Sequence, residues 1–486
     1  MSAAKRRRDS RPNIIWIMCD DLAWGDLGCY GQTKIRTPNV DALAAGGIRF
    51  TQCYSGSTVC APSRSCLMQG LHQGHATVRA NMLGGYRHCL QPEDVTVAEV
   101  LHSAGYATGL FGKWGLSNYD QPGVPTRKGF DEFYGYLNQR HAHNYYPAHL
   151  WHNEQRVPFP QHKGFVHTRT SDYDAEGNVL LKMADPSAAR YSFDVYAEAS
   201  LDFVRRRADG PFFLYLAYTP PHGVLVVPSL GPYAKLDWPD IRHKEWAAMI
   251  TRMDGEVGRL VALLSELDIH DNTLMFFCSD NGYSPMGTIP KRLTDAGVPS
   301  LEEFFGHRGP WRGGKGDLRE GGLRVPMIAH WPAVVRQART SDLPWAFWDF
   351  LPTAARLARA EMPARCDGQS IAPALLGREA DQPRRERFYW EFFGAEGLEQ
   401  AARIGGFWAY RPHAAAPVEV YDVAADPGET DDLAGRRGDV AAKAAELFVR
   451  EHEPTPYNPT IGETLKDWSA RVKAEVGDLP QNIDTF

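Results

Sequence analysis

Long apolar runs are missing from this 486-residue sequence. The nearest approach, residues 14–18, stops short of Asp20-Asp21 and is too brief for a signal-peptide core or a membrane anchor. The one basic cluster, Lys5-Arg6-Arg7-Arg8, meets Asp9 and no apolar stretch follows it. No membrane span is therefore expected. With no export signal visible the chain reads as cytoplasmic, and a periplasmic or secreted location stays open. A surplus of either charge is also missing: 53 Lys and Arg stand against 59 Asp and Glu, a net −6 that argues against a nucleic-acid partner. Cysteine is scarce. The eight at 19, 29, 53, 60, 66, 89, 278 and 366 lack paired metal spacing and are too few for a disulfide scaffold. Most are expected as buried thiols, although their crowding before residue 90 admits a disulfide. Internal repeats and low-complexity linkers are absent too, which implies compact packing throughout.

What is present is a set of short apolar, β-branched or aromatic runs with the look of buried strands, at residues 13–19, 107–111, 211–218 and 273–278. A helix is predicted over 243–267, where Trp246, Ile250, Met253, Val257, Leu260, Leu264 and Leu267 recur at steps of four and three. Buried strands alternating with helices argue for an α/β domain with a largely parallel sheet covered on both sides. Beyond about residue 375 the pattern changes to runs at 387–393, 403–410 and 418–423 and a helical stretch over 436–451. The expected division is a catalytic domain over 1–375 and a small α+β domain over 376–486.

In parallel α/β sheets ligands bind beyond the carboxyl ends of the strands. Here those ends carry Asp20-Asp21, Gly112-Lys113, His222 and Asp280-Asn281. Three carboxylates and an amide oxygen suit a hard cation such as Ca²⁺, or Mg²⁺, rather than zinc. Any one such pair alone is better explained as a polar strand-to-loop boundary. Cys60-Ala61-Pro62-Ser63-Arg64 precedes a helix predicted over 63–69, with proline in its first turn. Cys60 would then face the positive end of a helix dipole beside the fixed cation of Arg64. Read by itself, Cys60 is equally a buried structural thiol.

The segment from Cys60 to Arg64, followed by Gly70 and His75, resembles the signature of the cysteine-type, formylglycine-dependent sulfatases of the alkaline phosphatase superfamily. Asp20-Asp21, Gly112-Lys113-Trp114, Pro221-His222, residues 279–282 and 314–326 match further blocks of that family, in its order. The resemblance implies an alkaline-phosphatase-like fold, a large mixed, mostly parallel sheet flanked by helices with a smaller C-terminal α+β domain. It implies that Asp20, Asp21, Asp280, Asn281 and Cys60, oxidised to formylglycine by a formylglycine-generating enzyme, bind Ca²⁺. Arg64, Lys113, His222 and Lys315 would surround the sulfate. In the implied mechanism one hydroxyl of the hydrated aldehyde attacks sulfur, His222, with Lys315, protonates the departing alcohol, and the second hydroxyl lets the intermediate expel sulfate. One departure stands out: Gly115 occupies the place of a histidine usual in the family, and His75 or His307 are the candidates to replace it.

For the substrate, Arg140 and His143 belong to an aromatic and histidine-rich stretch over 140–152 that suits stacking on a sugar, or equally a loop packed on the domain. His307 and Arg312 lie close before Lys315 and either border the pocket or belong to a solvated loop. A sulfated saccharide is the first expectation and an aryl sulfate the second. A phosphonate or phosphate monoester hydrolase of the same superfamily is the nearest rival, and a non-catalytic sulfosugar-binding protein a more distant one. Nothing in the pattern indicates an oligomeric state.

Overall fold

The computed structural model describes residues 11–163, 165, 171–183, 185–284, 289–394 and 397–475, so the basic cluster at 5–8 lies outside the described residues. The strands in chain order are β1 (Asn13–Asp20), β2 (Ile48–Tyr54), β3 (Ala107–Lys113), β4 (Glu132–Tyr136), β5 (His149–His152), β6 (Gln155–Pro158), β7 (Phe212–Pro221), β8 (Thr273–Ser279), β9 (Arg324–His330), β10 (Arg339–Ser341) and β11 (Trp345–Ala346). They form one sheet in the order β10-β2-β9-β8-β1-β7-β3-β4-β5-β6, with β11 beside β2. Its centre, β8-β1-β7-β3, is parallel throughout. Antiparallel pairing enters through β9 on one side and the β4-β5-β6 meander on the other.

Every residue of β1, β7 and β8 is buried, which is why these strands read as continuous apolar runs rather than alternating ones. Alternation survives in which side each residue serves. Ile15, Ile17 and Cys19 of β1 pack into the layer containing α1 (Pro38–Ala45), α4 (Ser192–Arg207) and α5 (Ile241–Glu266). Ile14, Trp16 and Met18 pack against α2 (Cys60–Gln69), α3 (Val97–Ser103) and the helix Phe350–Ala358. The predicted stripe of α5 is core, with Trp246, Ile250, Met253, Val257, Leu260 and Leu264 all nearly inaccessible. Each such burial contributes roughly 1.5–3 kcal/mol. Leu267 falls just past the helix as its C-cap.

The C-terminal strands β12 (Arg387–Gly394), β13 (Gly397–Ile404), β14 (Phe407–Arg411) and β15 (Glu419–Asp422) form an antiparallel meander. The run over 403–410, expected as one strand, is a hairpin instead. Ile404 pairs with Phe407 across Gly405-Gly406, and Gly405 sits at φ 59°, as a tight two-residue turn requires. One face of the meander packs on the helix Gly438–Arg450. The other carries Trp390 and Trp408 onto Tyr54 and Trp348 of the large domain. All eight cysteines are free thiols, so the disulfide admitted above does not form. Among the described residues no helix is long and apolar enough to cross a membrane.

Candidate functional site

Four neighbouring parallel strands end at one crevice: Asp20 closes β1, Lys113 closes β3, His222 follows β7 and Asp280 follows β8. α2 points into it. Cys60 is the first residue of that helix, and all ten of its residues are buried. No side chain of the N-cap Val59 caps it; instead Asn81 Oδ1 accepts from the Ala61 amide at 2.8 Å. Ser63 Oγ donates to the Asp280 carbonyl at 2.5 Å and accepts from the Gly56 amide, tying the helix to the end of β8. These bonds fix Cys60 Sγ 3.4 Å from Asp20 Oδ1 and 3.3 Å from Lys315 Nζ.

Around that sulfur, cations and carboxylates alternate. Lys113 Nζ lies 2.5 Å from Asp20 Oδ2, and Lys315 Nζ 2.6 Å from Asp21 Oδ1. Arg64 grips Asp280 Oδ2 through Nε and Nη2 at 3.2 and 2.8 Å, and its Nη1 donates to the Lys113 carbonyl. Burial pushes Asp20 and Asp21 up, yet the surrounding cations together, led by Lys113 for the first and Lys315 for the second and joined by His222, outweigh it and hold both carboxyls below their usual range. Burial, and next the charge of Asp20, push Asp280 up. Burial also pushes the Cys60 thiol up to about 12, so the unmodified side chain stays a neutral thiol and a poor nucleophile.

The donors fit a hard cation. Asn281 Nδ2 donates to Asp21 Oδ1 at 2.8 Å and to the Gly282 carbonyl, while its Oδ1 is buried without any protein partner. An orphaned amide oxygen beside Asp20, Asp21 and Asp280 is the donor set Ca²⁺ takes. Asp21 reaches this arrangement with φ 65°, a left-handed backbone that asparagine and aspartate tolerate better than other side chains. Three cationic side chains oppose three carboxylates here. A divalent ion would leave the crevice net positive and matched to an anionic ester.

The wall opposite Cys60 is built by His222. Its Nδ1 meets the Gly223 carbonyl, which can only accept, so Nδ1 carries a proton and Nε2 faces Asp21 Oδ2 at 3.6 Å. Burial lowers the His222 pKa. His143 stacks on that ring, and Tyr145 Oη donates to the carbonyls of Thr219 and His222, both at 3.0 Å. The stretch over 140–152 thus combines both readings. Tyr145, Tyr146, Leu150 and Trp151 are core, and His143 alone of the two named residues adjoins the crevice. Arg140 is exposed.

The other candidates lie elsewhere. His307 is fully buried, with Nδ1 2.6 Å from Asp26 Oδ1, and so presents nothing to a substrate. Arg312 is exposed and donates to the Glu429 carbonyl at 2.9 Å, bridging to the C-terminal domain. His75 holds Asp367 at 3.0 Å. Neither His75 nor His307 is therefore free to replace the side chain missing at Gly115. Gln139 fills that space: a Cβ on Gly115 would meet Gln139 Oε1 at 2.8 Å and the stems of Arg64 and Lys113 at 3.9 Å. Gln139 is 5% exposed, and both polar atoms of its amide lack partners. It lines a small cavity with Ala61, Asn81, Gly115 and Asn118 directly beside the Cys60 helix start. No spacing rule points to Gln139, because it meets Gly115 only through the fold.

Comparison with known proteins agrees with this geometry. The family model described as Sulfatase matches residues 12–360, and that described as N-sulphoglucosamine sulphohydrolase, C-terminal, matches 315–447. Human N-acetylgalactosamine-6-sulfatase is 31% identical over 390 residues, 76% of this chain and 67% of that protein. Human arylsulfatase A is 31% identical over 468 residues, 87% of this chain and 83% of that one. Among solved structures, Ps i-CgsB in complex with k-i-k-neocarrahexaose is similar over 98% of this chain and 100% of that one, at TM-score 0.74 and 25% identity. The phosphonate monoester hydrolase of Agrobacterium radiobacter shares the fold, at TM-score 0.64 and 20% identity over 93% of this chain and 100% of its own.

Proposed function

The chain belongs to the sulfatase family and is a sulfuric ester hydrolase, and from that premise we propose that it cleaves a sulfate monoester of a carbohydrate, using Ca²⁺ and a formylglycine made from Cys60. The observation that carries this reading is the position of Cys60 Sγ, between Asp20 Oδ1 and Lys315 Nζ at the meeting of four strand ends. In the mature protein the hydroxyls of a hydrated formylglycine take the place of that sulfur. Asp20, Asp21, Asp280 and Asn281 would hold the cation, whose charge, when bound, acidifies the attacking hydroxyl and offsets charge on the sulfuryl oxygens.

The chain's own groups supply the rest. Lys113, Lys315 and Arg64 are fixed by carboxylates before any substrate arrives, so their charge meets the transition state without reorganisation. His222, with Nδ1 committed to Gly223, donates a proton from Nε2 to the departing alcohol only as an imidazolium, and Asp21 stabilises that form. Gln139 offers an amide to the modified residue where an imidazole would otherwise stand.

Support for a saccharide comes from the relatives, one named for N-acetylgalactosamine-6-sulfate and another solved with k-i-k-neocarrahexaose. His143, half-buried at the crevice edge beside His222, is where a sugar would first be met. Phosphonate or phosphate ester hydrolysis is less well supported, since among the described residues the crevice gathers donors for one cation. The test is mass spectrometry of the Cys60 peptide combined with sulfate release from an aryl sulfate and from sulfated sugars with Ca²⁺. Exchange of sulfur for oxygen together with sulfate release from a sugar supports the reading. Full conversion with turnover only of phosphate or phosphonate esters overturns it.

A further inference from the structure

A second constellation lies at the far end of α2, outside the crevice. After Gly70 ends the helix, a short turn carries His72 and His75, whose rings sit 4.1 Å apart. The turn is rigid: the amides of His75 and Ala76 both donate to the His72 carbonyl at 2.9 Å. Asp367 is anchored to it by its own amide on the Gly70 carbonyl and by Oδ2, which accepts from the His72 amide at 3.0 Å. Glu451, the residue capping the helix Gly438–Arg450, arrives from the C-terminal domain. Segments 295 and 379 positions away along the chain thus bring Asp367 and Glu451 to His72.

The spacing is informative. A tetrahedral ion with bonds of about 2.0–2.1 Å to nitrogen and oxygen has neighbouring ligand atoms roughly 3.3–3.4 Å apart. Here His75 Nδ1 lies 3.0 Å from Asp367 Oδ2, His72 Nε2 lies 3.1 Å from Glu451 Oε2, and His72 Nε2 lies 3.7 Å from Asp367 Oδ2. The ligand atoms of His72, His75 and Glu451 are all within 4.8 Å of one another. The His75–Asp367, His72–Glu451 and His72–Asp367 separations bracket the tetrahedral edge; His72, His75 and Glu451 form the mutually close set, and Asp367 reaches it through the two histidines. The backbone bonds that hold His72, His75 and Asp367 keep them there whether or not an ion is present.

The donor chemistry selects the class of ion. Two imidazoles and two carboxylates suit zinc or another late first-row divalent metal, whereas Ca²⁺ and Mg²⁺ take oxygen alone. Two neutral imidazoles, two carboxylates and a divalent ion also sum to zero charge. Glu451 Oε1 is engaged by Arg450, leaving Oε2 for the cluster. His72 is buried, while the side chains of His75, Asp367 and Glu451 are 18–20% exposed, so the site is enclosed but reachable from solvent.

We propose that His72, His75, Asp367 and Glu451 bind a structural zinc-type ion that clasps the C-terminal domain to the turn after α2. Cys60 opens that helix and the clasp closes it, about 15 Å away for ten residues at 1.5 Å each. The ion would be a separate one from the hard cation of the crevice and would not touch substrate.

Titration of the metal-stripped full-length protein with Co²⁺ tests this. The expected result is one equivalent giving the intense visible absorption of tetrahedral cobalt, displaced by Zn²⁺, with a higher thermal midpoint when Zn²⁺ is present. The signal should survive Cys60→Ala and Asn281→Ala, and the affinity should fall at least about 100-fold in His75→Ala. Asp367→Asn, which retains the shape of the side chain, should weaken it similarly if His75→Ala does not fold. Absence of tetrahedral absorption, an octahedral spectrum only, or binding unchanged in both variants overturns the proposal. None of these readouts depends on turnover, so they stand apart from the fate of the sulfatase reading.

Discussion

The imidazoles of His143 and His222 stack with centroids 4.0 Å apart and planes 19° from parallel. Burial, and next the proximity of His222, hold His143 far below the ordinary histidine range, so the stack braces a neutral ring against the ring proposed to donate the proton. His143→Ala should free His222 to rotate. The expected loss in kcat/KM is about 10-fold to 100-fold on a sugar sulfate and much less on a nitrophenyl sulfate, whose leaving group needs no proton. Steady-state kinetics on the two substrates measures the split, and equal losses would show that His143 serves binding alone.

Gln139 buries an amide with no partner, a cost of about 1–3 kcal/mol that a purely structural residue has no reason to bear. Gln139→Ala is expected to leave the thermal midpoint unchanged or higher while lowering kcat about 10-fold. If the amide assists sulfate release, alcohol should appear in a stoichiometric burst before the slow steady state. A variant slower in the burst itself would place Gln139 in the first step instead.

Asn281 Oδ1, buried without a protein partner, is the free oxygen of the proposed Ca²⁺ site. Asn281→Ala should raise the Ca²⁺ concentration for half-maximal activity about 10-fold to 100-fold. Chelation should silence the native protein, and added Ca²⁺ should restore it. Isothermal titration with Ca²⁺ on the native and variant proteins reads the affinity directly.

Glu245, on α5, has one oxygen 3.0 Å from Tyr173 Oη and the other buried without a partner. Burial pushes its carboxyl up to about 8. Because the folded chain keeps this proton while the unfolded chain sheds it near the ordinary 4.5, the unfolded state binds fewer protons across that interval. Stability contributed here is full below about pH 4.5 and declines as pH rises towards 8, by on the order of 3–5 kcal/mol in total. Glu245→Gln should remove that decline. Urea unfolding at pH 5 and pH 8.5 gives the comparison: the native protein should weaken relative to the variant at the higher pH.

Much of this was legible in the residues because the informative signals were local. The strands β1, β7 and β8 are buried on both faces, so nothing polar interrupts them until the crevice begins, and that interruption marks Asp20, His222 and Asp280. The stripe on α5 is a helix packing one face, and it repeats as such a helix must. What stayed hidden depends on contacts made by folding. Asn81 capping the Ala61 amide, Gln139 in the space at Gly115 and His143 against His222 join residues 20, 24 and 79 positions apart, with no period to announce them. His307 misled for the complementary reason. Its neighbours in sequence border the Lys315 loop, but the ring turns inward to Asp26.

Cys60 is wholly inaccessible, and the rest of the helix it begins is buried. If Cys60 is converted to formylglycine as proposed, the enzyme that oxidises it would have to act before β2, α2 and β8 close together. Maturation would then have a deadline, set by how fast this segment folds. On that reading a molecule that closed with the thiol unchanged would be a sealed form rather than a slow precursor. Two populations made from the same gene product would then differ by a single oxidation that neither can later acquire or lose.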